Sequence, residues 1–307
     1  MSATDKSDLA DAYAGERIFL IGNGPSLAET PLDALQDEYT MAMNRIDLIY
    51  DAVDWRPDFY VCTYNMAGLR SRSGIQTSIK VHDFIDSTHL FLHTDLSELV
   101  STPATDVTYL NVNYLRNIKM ENPMNIDTAT IEDADRSWLD QYWSYDISDV
   151  VWDFHTMYVA AQLSLWMGFD EIYFVGTDLG YNDPVHMIIN NSIDPMEFVG
   201  QKWNYFRVAY RKSKLLSAIL NGFATKLLLY IRKIGRTDLF LGPDDEHFTS
   251  EYQGQAIFRN SNGELERSHV VIKRICESEG VRVRNATIGG ELEVYPRVNL
   301  VSLLRQL

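Results

Sequence analysis

Apolar runs alternate along the chain with segments of helical spacing. RIFLIG (17–22) is a continuous apolar run ended by glycine, the pattern of a strand buried on both faces. It breaks into GNGPSL, followed by a helical stretch over SLAETPLDALQ. YTMAMN (39–44) and PDFYVCTYN (57–65) read as strands, the second opened by a proline. IKVHDFI (79–85) and HLFLHTD (89–95) read as one strand or two, and DVTYLNV (106–112) as another. SDVVWDFHTMYVAAQLSLWMGF carries apolar residues every three or four positions and reads as a helix closed by Gly168. DEIYFVGTD (170–178) then returns to strand. SHVVIKRICESEG is an amphipathic helix closed by Gly280, and VRVRNAT (281–287) is the last strand. Gly289-Gly290 makes a tight turn before a final extended piece. This alternation predicts a Rossmann-like, doubly wound α/β fold, its mostly parallel sheet covered by helices on both faces. The expected organisation is a flexible N-terminal tail over 1–15, one nucleotide-binding domain over 16–180 and 238–307, and a helical lid inserted over 181–237.

With 46% hydrophobic and 12% aromatic residues in 307, the chain is globular, large enough for one core or one core plus a subdomain. The net charge of −16 fits a protein of a high-salt cytoplasm and argues against nucleic-acid binding, which needs a basic surface. Cys62 and Cys276 lie in apolar patterns, so they read as buried free thiols of a reducing cytoplasm, not a disulfide framework or zinc site. The opening MSATDKSDLADAYAGE has no apolar stretch of signal-peptide type, and no run of 18 apolar residues occurs; LLSAILNGFATKLLLYI (215–231) comes nearest. Within so acidic a chain, residues 202–236 form a basic island, with no acid between Glu197 and Asp238. As a lid, its cations would meet the phosphates of a donor or an anionic lipid-linked acceptor, with peripheral contact at the inner face of a membrane.

The chemistry concentrates at strand ends, where open α/β sheets bind ligands. Gly22 and Gly24 let the backbone approach a phosphate, and Pro25 and Ser26 suit the start of a helix whose amino end favours negative charge. The nicotinamide fingerprint needs a glycine at position 27, where Leu27 stands, and an acid at the end of the second strand, where Asn44 stands; the P-loop ending is absent as well. Asn23, Asn44 and Asn65 follow the first, second and third strands. Each amide both donates and accepts, so it can hold a sugar or base edge without repelling a phosphate.

GNGPSL, the asparagines of MAMNR and CTYNM, and the unit HTMYVAAQLSLWMGFDEIYFVGTDLGY together resemble the bacterial sialyltransferase family with a single Rossmann-like domain and a lid. HFTSEY and NATIGGELEVYPRV are similar to a broader family that includes motility-associated flagellin-glycosylating factors and archaeal hydroxymethylpterin pyrophosphokinases. The resemblance implies an inverting, metal-independent glycosyltransferase with a cytidine monophosphate (CMP)-sugar donor and a glycan or lipid-linked acceptor. It carries Asn23, Asn44, Asn65, Thr156, Gly176 and Asp178 over as nucleotide contacts. This chain has His155-Thr156-Met157 where the sialyltransferases tend to have Thr-Ser-Gly, and Tyr181 stands three residues after the aspartate instead of two. His247, in GPDDEHFTSEY, is the candidate general base, with His155 second; Tyr181 and Tyr252 are candidate donors to the leaving phosphate. His82, His89 and His93 lie in strand-like text and read as structural, and His269 as the start of a helix. Asp133-Ala-Asp135 matches a short metal-binding pattern of glycosyltransferases but reads as a helix start, so no metal site is assigned. Asn285 ends a strand and is a candidate to face the crevice, while Arg297 pairs with a phosphate or with the acidic surface. Two alternatives stand beside the glycosyltransferase. One is a pyrophosphokinase using ATP and Mg²⁺, with Asp178, Asp244 and Asp245 as metal ligands; the other is a nucleotide-binding protein without chemistry. A homo-oligomer is allowed for.

Overall fold

The computed structural model describes residues 8–65, 73–83, 85, 87–100, 106–114, 128–152, 155–179, 249 and 262–305. Nine strands are present among them: β1 Arg17–Ile21, β2 Tyr39–Met43, β3 Phe59–Cys62, β4 His89–His93, β5 Val107–Leu110, β6 Val112–Tyr114, β7 Val150–Trp152, β8 Glu171–Val175 and β9 Arg282–Asn285. Seven of them form one sheet in the order β5-β4-β3-β2-β1-β8-β9, every neighbouring pair parallel. β6 and β7 pair separately, also in parallel. The order reverses between β1 and β8, as in a doubly wound α/β fold.

Both faces of the sheet are buried, which is why its strands read as continuous apolar runs. On β1, Ile18 and Leu20 enter one core, Phe19 and Ile21 the other. The first core is covered by helices α2 (Thr128–Asp133), α3 (Arg136–Leu139), α4 (Thr156–Trp166) and α5 (Asn262–Ser278). The second is covered by α1 (Ser73–His82), α6 (Leu300–Leu304) and short 3-10 turns. Residues 156 to 164 of α4 are all buried, so this helix is an interior element, with Thr156, Gln162 and Ser164 as its buried polar residues. It closes at Gly168, in the left-handed region at φ +87°, and α5 closes at Gly280, φ +78°.

Several local expectations are corrected. Residues 8–15 are no free tail: Asp11 N and Tyr13 N donate to the carbonyls of Trp166 and Met167, and the Tyr13 ring stacks on Phe169 at 4.7 Å. The connection after β1 consists of two 3-10 turns, Pro25–Glu29 and Leu32–Leu35, because Pro31 interrupts any longer helix. IKVHDFI does not open a strand: Ile75 and Ile79, four apart and both buried, bring α1 down onto the sheet. Val150–Trp152 is strand β7, so the long helix begins only at Thr156. The last extended piece bridges Asn285 at Arg297 and ends in α6, capped by the Asn299 side chain. The lid segment 181–237 lies outside the described residues.

Candidate functional site

The carboxyl ends of β1, β2, β3 and β8 and the amino end of α4 meet at the point where the strand order reverses. On the β8 side, the glycine turn continues the pairing of β1 with β8. Gly22 N donates to Val175 O, and Gly24 N to Gly176 O, both at 2.8 Å. A Cβ on Gly22 would lie 2.4 Å from Gly176 O, and one on Gly24 1.9 Å from a carboxylate oxygen of Asp178. Gly176 itself is at φ +63°, where only glycine is unstrained. The glycines thus permit two strand ends to touch. Ser26 donates from its hydroxyl to Asp178 Oδ2 at 2.9 Å and from its amide to Oδ1 at 3.3 Å. The amide expected to meet a ligand phosphate therefore meets an internal carboxylate instead. Burial raises the pKa of Asp178, and the hydrogen bonds from Ser26 oppose the shift.

The closing loop clamps this aspartate from the other side. Glu291 N donates to Asp178 O at 2.6 Å, and a Cβ on Gly290 would lie 2.7 Å from the same oxygen. Arg297 stitches that loop, donating to the carbonyls of Gly289 at 2.6 Å and Gly290 at 2.8 Å and pairing with Glu293. Arg297 is thereby committed to the loop. Asn285 is fully buried, donates to Leu292 O at 2.7 Å and accepts from Thr287 N, so it does not face the crevice.

On the other side of the turn the lining is neutral. Asn23 donates from Nδ2 to Met43 O at 3.0 Å, while its Oδ1 is buried without a hydrogen-bond partner among the described residues. Asn44 stands at φ +53°, a conformation asparagine tolerates better than most residues. Its carbonyl accepts from the Tyr60 hydroxyl at 2.8 Å, and its side-chain oxygen from Thr156 Oγ1 at 3.4 Å. Thr156 Oγ1 also lies 3.2 Å from Thr63 Oγ1. Asn23, Asn44, Thr63 and Thr156 thus join β1, β2, β3 and α4 in one polar seam, with Asn65 three residues beyond β3. Thr63 was not singled out from sequence; its place directly after the apolar run of β3 was the available signal.

Gln162 holds the approach to α4. Its Oε1 accepts from Ser144 N and Val151 N, and its Nε2 donates to Val151 O at 2.6 Å. His155 occupies the position before the helix and makes no side-chain capping bond. Its Nε2 bonds Ser268 Oγ, and its ring lies 5.2 Å from that of His269. Desolvation pushes His155 down to about 3, so it is neutral at pH 7. His269 lies inside α5, not at a helix start; its Nδ1 bonds the Tyr295 hydroxyl at 2.9 Å. The remaining described histidines have partners: His82 with Tyr50, His89 with Thr108, and His93, which accepts from Asp95 N. His82 lies in α1 instead of a strand. Cys62 and Cys276 are buried free thiols, and burial pushes Cys276 up to about 12.

Asp133 ends α2, whereas Asp135 caps α3 by accepting from Trp138 N at 2.9 Å. Among the described residues no group of three His, Cys, Asp or Glu side chains is arranged to hold a metal ion, and no helix is long and apolar enough to cross a membrane. An open depression of about 330 Å³, lined by residues including Lys273, Arg282 and Arg284, lies against β9, away from the polar seam. His247, Tyr181, Tyr252, Asp244 and Asp245 lie outside the described residues.

No protein-family model matches the sequence, and no curated protein matches it. Among solved structures, the chain is similar to the MAf glycosyltransferase of Magnetospirillum magneticum AMB-1, at 13% identity and a TM-score of 0.46. That similarity covers 96% of this chain and 34% of the other, so the chain spans about a third of that protein's length.

Proposed function

We propose that the chain is an inverting, metal-independent glycosyltransferase whose donor is a CMP-linked, sialic-acid-like sugar and whose acceptor is a glycan or lipid-linked hydroxyl. The observation that carries this reading is the buried Oδ1 of Asn23, without a partner among the described residues, at the end of a seam of amides and hydroxyls. An acceptor left without a partner at that depth costs about 1–3 kcal/mol, which a ligand donor group would recover. A nucleoside offers such donors in its amino and hydroxyl groups. Asn23, Asn44, Asn65 and Thr156 hold it in this account. Because Asp178 takes up the Ser26 amide, the phosphate sits on the asparagine side of the turn. His247 takes the acceptor proton as the bond to the sugar forms, and Tyr181 donates to the departing phosphate.

The test is nucleotide release from CMP-, UDP- and GDP-sugars in the presence of a chelator, with the anomeric configuration of the product read by NMR. CMP release with inversion supports the reading. Turnover of ATP with Mg²⁺ alone would replace it with a pyrophosphokinase.

A further inference from the structure

The turn after β2 is held at two successive carbonyls. Asn44 stands there at φ +53°, a left-handed conformation that asparagine adopts at some cost. Asn23 Nδ2 donates to Met43 O at 3.0 Å, before this residue, and the Tyr60 hydroxyl donates to Asn44 O at 2.8 Å, after it. A carbonyl only accepts, so each bond has one possible direction. Tyr60 comes from β3, where its register partner is Ala42; both enter the same core, and Asn44 stands two residues beyond Ala42. The Tyr60 ring stacks on His82 of α1, with centroids 4.1 Å apart. Burial holds its hydroxyl well above the ordinary value of 10, so it remains a donor at neutral pH.

Tyr60 is fully buried, so its hydroxyl touches no ligand, and its effect on the site passes through Asn44. Asn44 is only partly buried, and its side chain meets Thr156 Oγ1 at 3.4 Å in the polar seam. The direction of that side chain depends on the backbone angles of its own residue. We infer that Tyr60 is a positioning residue of the seam: by holding the Asn44 carbonyl, it fixes the left-handed turn that presents the Asn44 amide to Thr156 and to the bound ligand. The inference rests on the proposed nucleotide-sugar reading for the identity of that ligand, but not for the hold on the turn. Without the hydroxyl, the peptide after Asn44 rotates toward a commoner backbone conformation, and ligand binding has to restore the turn. Affinity then falls by the fraction of molecules that keep it.

Tyr60→Phe keeps the ring against His82 and removes one oxygen; circular dichroism and thermal melting of the full chain check that it folds. The first measurement needs no ligand. The backbone chemical shifts of Asn44, which report φ, are expected to be left-handed in wild type and to move toward right-handed or extended values in Tyr60→Phe. The second is CMP affinity by titration calorimetry. Tyr60→Phe is expected to weaken it by about tenfold, the value of one hydrogen bond of about 1.4 kcal/mol. Asn44→Gly adopts the same turn without strain but has no amide to present. In that background, Tyr60→Phe is expected to change CMP affinity by less than about twofold, the scatter of independent substitutions. A general loosening of the protein would weaken binding equally in both backgrounds, and that result overturns the inference. Unchanged Asn44 shifts in Tyr60→Phe overturn it as well. Absence of CMP binding in wild type, with the expected shifts, overturns the nucleotide reading and leaves Tyr60 as the residue that holds the turn.

Discussion

The carboxylate of Asp178 accepts hydrogen bonds from both the hydroxyl and the amide of Ser26, a residue 152 positions earlier. The protein thus supplies its own anion at the glycine turn. The turn joins β1 to the loop after β8, and in the proposed reading the ligand-facing chemistry lies in the neutral seam of Asn23, Asn44, Thr63 and Thr156.

Burial raises the Asp178 pKa, so folding disfavours its ionised form. Its stabilising state is therefore full below the ordinary aspartate value near 4 and is lost as pH rises through the folded value. Asp178→Asn keeps an oxygen to accept from Ser26 and removes the buried charge. Its urea midpoint at pH 7 is expected to exceed that of wild type, and the gap to close as pH is lowered toward 4. A lower midpoint at pH 7 would mean that the charge itself holds the turn.

The two turn glycines separate by their obstacles. Gly24→Ala meets the Asp178 side chain, with Gly176 O at 2.8 Å, while Gly22→Ala meets the Gly176 backbone at 2.4 Å. Each is expected to cost about 1–3 kcal/mol as overpacking. Asp178→Ala in the same chain should recover part of the loss for Gly24→Ala and none for Gly22→Ala. Equal recovery in both, measured by chemical denaturation, would contradict the geometry.

His82 and His155 are held down to about 3 and His89 to about 4, each primarily by desolvation. A histidine with a lowered folded pKa stabilises fully above about 6.5 and loses that contribution as pH falls toward the folded value, by up to about 1.4 kcal/mol per pH unit. The raised carboxyls of Asp58 and Asp178 act in the opposite sense, so the comparison of wild type with His155→Gln isolates the imidazole. The wild-type stability should fall more steeply between pH 6.5 and 4 than that of His155→Gln. Parallel curves would show that His155 is not buried in its neutral form.

Thr156→Val keeps the shape of the residue and removes the hydroxyl between Asn44 and Thr63. Leaving buried partners short of a bond costs about 1–3 kcal/mol. Calorimetry should show a lower melting temperature together with weaker CMP binding. Unchanged values for both would remove Thr156 from the seam.

Much of the sheet was legible because buried parallel strands leave continuous apolar runs, and the residue after each run sits at a strand end. That is why the sequence alone puts Asn23 and Asn44 at neighbouring strand ends. IKVHDFI misled because a β-branched, apolar segment has no visible period over seven residues; the helical signal lay upstream, in Ile75 with Ile79. The partners of Ser26 and His155 were not legible. A glycine turn has the same sequence whether it faces a phosphate or a carboxylate from β8. The bond from His155 to Ser268 crosses 113 positions and has no local pattern.

The central claim is that the neutral seam at the strand ends binds the nucleoside of a CMP-sugar. Asn44→Asp tests it most directly, because the two side chains are nearly isosteric, both tolerate the φ of +53°, and only the amide donor and the neutrality are lost. The measurement is the melting temperature with CMP in the presence of a chelator, for wild type and variant. At one hundred times the dissociation constant, CMP should stabilise wild type by about 2.7 kcal/mol and Asn44→Asp far less. An equal shift in both proteins, or a shift in wild type with ATP and Mg²⁺ but none with CMP, would contradict the account.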